Sequence, residues 1–238
     1  MKTRIAGAAL TALLMIGAGY AALFIAPTDV RQGEVYRIMF FHISCWAAMF
    51  IALAVSFAGN IAWLVTNRLK WDWLGVSGAE VGVACCTAGL VTGPLWGRPV
   101  WGIWWTWDAR LTTTFILWLL YISYLLLRGL IEDPQRRASL SAIFGIFAFL
   151  DVPLVYMSNR LWRTQHPQPV LFGGEGSGLA PVMLKVLMVC MAAIVVVMTL
   201  VLTDRYRLER LRYELDELRV EIESRAEEGN PITTKGEG

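Results

Sequence analysis

Long apolar stretches, separated by short polar segments, occupy most of this chain. Six of them reach the roughly 20 residues that a membrane-spanning helix needs. They are 5–26, 38–66, 74–96, 111–131, 138–158 and 179–203. The first follows Lys2 and Arg4, as a signal peptide would, but its apolar run exceeds the ~7–15 residues of a signal-peptide core. The pattern predicts an all-α membrane protein, with a six-helix transmembrane bundle in residues 1–203.

The chain becomes highly charged after Thr203. Within 204–228, apolar side chains recur at alternating spacings of three and four residues: Leu208, Leu211, Leu215, Leu218 and Ile222. This spacing is an a/d seam about two heptads long, and it predicts a cytoplasmic helix that continues the sixth span. The helix either packs on its own protein or docks to a partner subunit. The last ten residues have a composition typical of disorder, so 204–238 forms a charged tail with a disordered end.

Composition narrows the class of protein. The chain is 56% hydrophobic and only 17% charged, which is too apolar for a soluble globular domain. Its net charge of +2 says little about partners. No phosphate-binding loop and no zinc-protease motif occurs in the sequence. We expect no enzyme activity, no ATP hydrolysis by this chain and no nucleic-acid partner.

The positive charges suggest an orientation. Six spans place both termini and the loops at 67–73 and 132–137 on one side of the membrane. Most of the basic residues share that side, including the arginine-rich tail. By the positive-inside rule this side is cytoplasmic. The opposite, outer side still carries several arginines, among them Arg31 and Arg37, which an anionic ligand could hold there.

Five tryptophans crowd into the twelve residues from Trp96 to Trp107. They belong to a predicted loop, 94–110, between spans 3 and 4 on the outer side. So aromatic a surface fits either the membrane interface or a large planar ligand. An aromatic belt at the interface is common in membrane proteins, so both interpretations stay open on this feature alone.

The chain has only two histidines, His42 and His166. His42 lies at the outer end of span 2, and His166 lies in the loop between spans 5 and 6. The topology therefore brings both histidines to the same membrane face as the tryptophans, whichever way the protein is inserted. Neutral imidazole is a common ligand of iron and copper. The alternative for His42 is an ordinary hydrogen-bonded interfacial histidine.

A haem is planar and largely apolar, with two carboxylates, and it needs axial ligands, aromatic walls and cations. The outer face offers each type: His42 and His166 as axial ligands, Trp101, Trp104, Trp105 and Trp107 as walls, and Arg98 and Arg110 for the propionates. If 101–108 is helical, Trp101, Trp104, Trp105 and Asp108 share one face. Asp108 is also placed to cap span 4 at its N-terminus, a role compatible with a site.

Asp151 is an ionisable residue within span 5, two positions before Pro153. Such residues are functional candidates by default, and this one supports an alternative, a membrane enzyme or a proton-coupled transporter. The competing interpretation is a hydrogen bond to backbone freed by the proline or to a neighbouring helix. A further alternative is a structural membrane scaffold for ATPase subunits, with the tryptophans as an interfacial anchor.

The segment 101–112, WGIWWTWDARLT, resembles the tryptophan-rich (WWD) signature of haem-handling membrane proteins. Its Arg-Leu-Thr ending, the six spans and the chain length resemble the haem exporter protein C (CcmC) family of cytochrome c maturation. The segment 39–42 resembles the first histidine motif of that family, and 162–166 resembles the second. Related proteins from other cytochrome c assembly systems share the loop but are generally larger.

The resemblance implies a six-span subunit of the bacterial inner membrane that presents or exports haem b at the periplasmic face. It implies that His42 and His166 are the axial ligands, that the tryptophans border the macrocycle, that Arg110 holds a propionate and that Asp108 positions the loop. It also implies partners: a haem chaperone of the haem exporter E type, ATP-binding cassette subunits and a small single-span membrane protein. The alternative within such a complex is a structural transmembrane scaffold without its own haem site.

Overall fold

A computed structural model describes residues 2–166, 169–171 and 178–228, with side chains from residue 5 to residue 226 of these ranges. Seven α-helices account for most of it: α1 Lys2–Tyr20, α2 Ile38–Thr66, α3 Leu69–Trp101, α4 Ala109–Gly129, α5 Pro134–Phe149, α6 Asp151–Leu161 and α7 Pro181–Glu228. A π-helical turn, Ala21–Ile25, extends α1, and a short 3-10 helix, Glu34–Arg37, precedes α2. No strand occurs in these ranges. Six helical segments are long and apolar enough to cross a membrane, which confirms the predicted all-α membrane fold.

The centre of the bundle is the antiparallel pair α2 and α3. Glycines on α3 let the two backbones approach closely: a Cβ at Gly78 would lie 2.7 Å from the carbonyl oxygen of Ala52, and one at Gly82 would overlap Leu53. Gly59 of α2 meets the backbone of α3 in the same way. Small residues serve this purpose in membrane bundles, and here they hold α3 against α2 at the centre of the bundle.

Helix α3 continues beyond its predicted end, and this corrects the proposed loop 94–110. Residues 94–101 are helical although Pro94 and Pro99 lie among them, because membrane helices tolerate prolines whose missing bonds neighbouring groups replace. The helix ends where Gly102 adopts φ 78° and its N–H donates to the Arg98 carbonyl. The connection to α4 is therefore only 102–108, and it is not helical. The conditional helical face over 101–108 does not form.

The fifth span is divided at Leu150 into α5 and α6. Pro153 follows closely and lacks the N–H that would bond to the carbonyl four residues earlier. Asp151, the first residue of α6, is buried, and its Oδ2 has no hydrogen-bond partner within the described part of the chain. The break thus places a carboxylate at a discontinuity of the helix, inside the bundle.

Helix α7 is 48 residues long, about 72 Å at 1.5 Å per residue, more than twice a hydrocarbon core of about 30 Å. It therefore continues from the sixth span well beyond the membrane without a break. Near the junction, Arg205 forms a bidentate ion pair with Glu80 of α3 at 2.5 Å. The leucine seam, Leu208 to Ile222 as defined above, stays exposed, with its five side chains 45–66% accessible. The predicted disorder of the last ten residues falls on 229–238, outside the described residues.

Arg37 shows how an arginine on the proposed outer side is held by the chain itself. Its guanidinium donates to the carbonyl oxygens of Ala22 and Ala26 at 2.7 and 2.8 Å and pairs with Glu34. These carbonyls lie where the π-helical turn ends, and they lack the next helical donors. At this position no ligand is needed to explain a positive charge.

Candidate functional site

His42 lies on the first turns of α2, against the far end of α3. Its Nδ1 is 2.8 Å from the hydroxyl of Thr92, and its Nε2 is 2.9 Å from the indole nitrogen of Trp46. The rings of Trp46 and Trp96 meet the imidazole edge-on, each with centroids 5.8 Å away. A Cβ at Gly93 would lie 3.4 Å from His42 Cε1. The imidazole is thus enclosed between α2 and α3, and both of its nitrogens have partners.

The hydrogen bonds around His42 determine its tautomer. An indole nitrogen can only donate, so His42 Nε2 accepts from Trp46 and carries the lone pair. The Thr92 hydroxyl donates its one proton to the Ala88 carbonyl at 2.7 Å, so its oxygen accepts from His42. The proton of the neutral ring is therefore on Nδ1. Nε2, which is left to bind a metal, is the nitrogen that Trp46 contacts.

His166 follows α6 and reaches the start of α4. Its Nδ1 lies 3.1 Å from Oδ2 of Asp108, and its backbone N–H donates to the hydroxyl of Thr164 at 2.9 Å. Thr164 and Thr106 donate to the same carboxylate oxygen. Because Asp108 accepts from Nδ1–H, the lone pair of His166 is on Nε2. A carboxylate behind the imidazole is the usual support of a metal-binding histidine.

Asp108 also caps α4, as predicted. Its Oδ1 accepts the Leu111 N–H at 2.9 Å, so one carboxylate fixes both the helix start and the second histidine. Burial alone would raise the pKa of Asp108, but the hydrogen bonds from Leu111, His166 and Thr164 and the nearby charge of a protonated His166 outweigh it and lower the pKa. The carboxylate is therefore charged at neutral pH.

His166 is neutral at neutral pH. Burial disfavours the charged form of His166 and lowers its pKa, and the charge of Arg110 lowers it further. Asp108 raises the pKa, but the lowering effects are larger. The His166 side chain is 18% exposed. The imidazole therefore has the protonation state that a metal ligand requires.

The two histidines lie at the same end of the bundle, as the topology predicts. Gly93 adjoins His42 and also lines a cavity of about 20 Å³ beside His166. Pro94, Gly97 and Trp101 complete the wall of this cavity on the α3 side. About one water molecule fits in such a volume. A macrocycle does not fit inside this cavity, which lies between the end of α3 and the 102–108 connection.

The structure sets Trp107 apart from the rest of the predicted tryptophan wall. Trp101 meets His166 edge-on, with ring centroids 5.1 Å apart, and Trp104 lies under the guanidinium of Arg98. Trp101, Trp104 and Trp105 all line the cavity beside His166, and Trp107 does not. Trp105 and Trp107 also pack edge-on with each other and with Phe115 of α4, which in turn stacks on Trp118. Trp101, Trp104 and Trp107 are 36, 60 and 73% exposed. Of the four predicted wall tryptophans, all of them within the described residues, only Trp101 has a ring contact with a candidate ligand.

The two candidate arginines differ in their surroundings. Arg98 is exposed at the last turn of α3 and donates to the Gly102 carbonyl. Arg110 is half-buried in the first turn of α4, and its Nη1 donates to Oδ1 of Asn159 at 2.7 Å. Arg110 retains donors beyond this bond, since a guanidinium has five. Within the described residues no hydrogen bond joins either arginine to a histidine, although the charge of Arg110 acts on His166.

Several residues around the histidines escaped the sequence analysis: Trp46, Thr92, Trp96 and Thr164. The first could have been found, because Trp46 is four residues after His42 and so lies on the same helical face. Trp96 belongs to the tryptophan run but falls on α3, where its indole donates to Gln32 at 2.7 Å. Thr92 approaches His42 through the tertiary fold, and its sequence position carries no signal. Thr164 lies two residues before His166, inside the segment 162–166, so its local bond to the His166 N–H could have been found.

The family model and the individual relatives that match this chain agree on one family. Residues 2–221 match the family CcmC, heme exporter protein C. A heme exporter protein C of Bradyrhizobium diazoefficiens is 36% identical over 173 residues, which cover 72% of this chain and 65% of the relative. One from Haemophilus influenzae is 31% identical over 205 residues, 84% of this chain and 82% of the relative. The chain thus spans just under two thirds of the first relative and most of the second.

Proposed function

The chain belongs to the heme exporter protein C (CcmC) family, and we propose that it binds haem b and presents or exports it at the periplasmic face of the bacterial inner membrane. From there the haem passes to a haem chaperone during c-type cytochrome maturation. Its role is transport and transfer, without catalysis. One observation carries the proposal: the only two histidines of the chain lie at the same end of the bundle, each a neutral imidazole whose Nδ1–H is held by an acceptor.

The residues present fit haem as the cargo. His42 and His166 supply two imidazole nitrogens, and Asp108 orients the second one. The exposed faces of Trp101 and Trp104 offer apolar walls beside His166. Arg98 lies at the rim, next to Trp104, and Arg110 keeps donors for a carboxylate. Trp105 lines the same cavity beside His166, and we assign Trp107, which is 73% exposed, to the edge of the connection against the lipid.

The proposed partners follow from the function and from the exposed seam. A haem chaperone of the haem exporter E type would receive the haem at the periplasmic face. ATP-binding cassette subunits and a small single-span protein would complete the complex. If both termini are in the cytoplasm, the exposed seam on α7 is on the cytoplasmic side, where ATP-binding cassette subunits can contact it. This seam is also the observation that favours the second candidate, a structural scaffold without its own haem site.

A maturation assay separates the two candidates. In bacteria that lack their own heme exporter protein C, the His166→Ala chain should yield at least about tenfold less haem-stained c-type cytochrome, because even indirect support of a metal ligand is worth 10–100-fold. Complex assembly, measured by co-purification, should survive. Asp151→Asn serves as a control and should mature cytochrome normally.

The scaffold hypothesis expects the opposite result. Leu211→Asp with Leu215→Asp would then abolish assembly and maturation together, while His166→Ala would leave both intact. Normal maturation by His166→Ala would refute the haem-ligand role of this residue. Loss of maturation with Asp151→Asn alone would favour the transporter interpretation.

A further inference from the structure

The two histidines differ in what their ligating nitrogens contact. His42 Nε2 accepts the indole N–H of Trp46 at 2.9 Å. For His166 Nε2 the described residues offer no such donor, and the ring borders the 20 Å³ cavity instead. Both rings have their protons on Nδ1, so both would bind iron through Nε2. The ligating nitrogen of His166 is therefore accessible at once, and that of His42 is held by the Trp46 N–H.

Trp46 is fixed firmly in this position. Its six-membered ring lies on Gly89 of α3, where a Cβ would come within 2.7 Å of the indole. Since Trp46 is one helical turn after His42, its N–H projects back along α2 toward the imidazole. On the other side of the imidazole, the hydroxyl oxygen of Thr92 accepts the His42 Nδ1–H, with 2.8 Å between the two heavy atoms. The imidazole is thus held in one tautomer and orientation by two partners with opposite effects on ligation.

We propose that Trp46 is a positioning residue that competes with iron for His42. The inference rests on the proposed function, since it concerns how haem engages the same site. His166 binds first, and His42 binds when its Nε2 lone pair leaves the Trp46 N–H and is donated to iron. No proton is transferred, because Nδ1–H stays on Thr92 and the indole keeps its own proton. The competing hydrogen bond keeps the second ligand exchangeable, which suits a protein that must release its cargo.

The test uses Trp46→Phe in the full chain, with Trp96→Phe as the matched control. Trp96 meets the same imidazole at the same 5.8 Å centroid distance, but its N–H donates to Gln32. Nitrogen-15 spectra of the haem-free protein report hydrogen bonding at each imidazole nitrogen, and with two histidines in the chain they are readily assigned. Trp46→Phe should shift the His42 Nε2 resonance, and Trp96→Phe should leave it unchanged.

Haem titration provides the second readout. Trp46→Phe should bind haem about fivefold more tightly than wild type, with a larger low-spin, two-histidine fraction, because one ordinary hydrogen bond no longer competes. Thr92→Val, which removes the acceptor on the other side with little change of shape, should act in the opposite direction and weaken binding. A general loosening of the fold would weaken haem binding in both variants, so a gain of affinity in one and a loss in the other would not arise from it.

The outcomes separate this inference from the proposed function. An unchanged His42 Nε2 resonance in Trp46→Phe overturns the inference even if haem binds. A shifted resonance with equal affinity and equal low-spin fraction also overturns it and leaves the haem site standing. If wild type binds no haem, the proposed function fails, and the ligand competition that rests on it fails too.

Discussion

Replacing Arg128 by alanine is expected to destabilise the protein by about 3–5 kcal/mol, because the substitution leaves a buried carboxylate unpaired. Arg128 of α4 forms two parallel hydrogen bonds with Asp72 of α3, at 2.6 and 2.8 Å. The two side chains are only 10 and 8% exposed. Reversible unfolding in mixed micelles would measure the loss of free energy.

The matched control is Arg205→Ala. Arg205 makes an equally bidentate pair with Glu80, but both side chains are 27% exposed, so the expected loss is at most about 1 kcal/mol. Replacing both partners of the buried pair, Arg128→Met with Asp72→Leu, should restore most of the stability, since an apolar pair leaves no charge unpaired. Equal losses from Arg128→Ala and Arg205→Ala would show that burial does not decide the strength of these pairs.

Gly78→Val is expected to cost about 2–3 kcal/mol, because the new side chain must separate two helix backbones. A Cβ at Gly78 meets the Ala52 carbonyl oxygen and the Ser56 amide nitrogen of α2, both at 2.7 Å, and backbone cannot rotate aside as a side chain can. The same helix pair holds Thr92 beside His42. We therefore expect weaker haem binding in this variant as well as a lower unfolding free energy.

Gly17→Ala provides the control for Gly78→Val, measured by the same unfolding assay. Gly17 lies on the exposed face of α1 with no heavy atom within 4 Å of a Cβ, and alanine stabilises an exposed helix by up to about 1 kcal/mol relative to glycine. The two substitutions should thus have opposite signs. A stabilising Gly78→Val would contradict the close contact of α2 with α3.

Most of the fold could be predicted from the sequence, because a membrane-spanning helix is specified by local hydrophobicity and length. The end of α3 could not, since Pro94 and Pro99 favour a loop and the bundle overrides that local preference. The division of the fifth span at Leu150 was also missed, although Pro153 marks it. Helix periodicity was sufficient for α7, whose seam is continuous with the sixth span.

The site was predicted only to the level of which residues share a membrane face. Topology brings His42 and His166 to one end of the bundle, and the Asp108 cap follows from its position before α4. The sequence could not show that Trp105 lines the cavity beside His166 while Trp107 does not, because the direction of each side chain depends on the backbone of a seven-residue connection. Nor could it show that Trp46 occupies the ligating nitrogen of His42, which depends on where α3 places Thr92 and Gly89.

The visible absorption spectrum of the purified full chain tests the central claim most directly. Wild type, reconstituted with haem b, should show a Soret band and the sharp reduced bands of an iron with two histidine ligands. His42→Ala with His166→Ala should lose these bands, and the Leu211→Asp, Leu215→Asp chain should keep them, because the seam lies far along α7 from both histidines. An unchanged low-spin spectrum in the histidine double variant would contradict the account, since the chain has no other histidine to replace them.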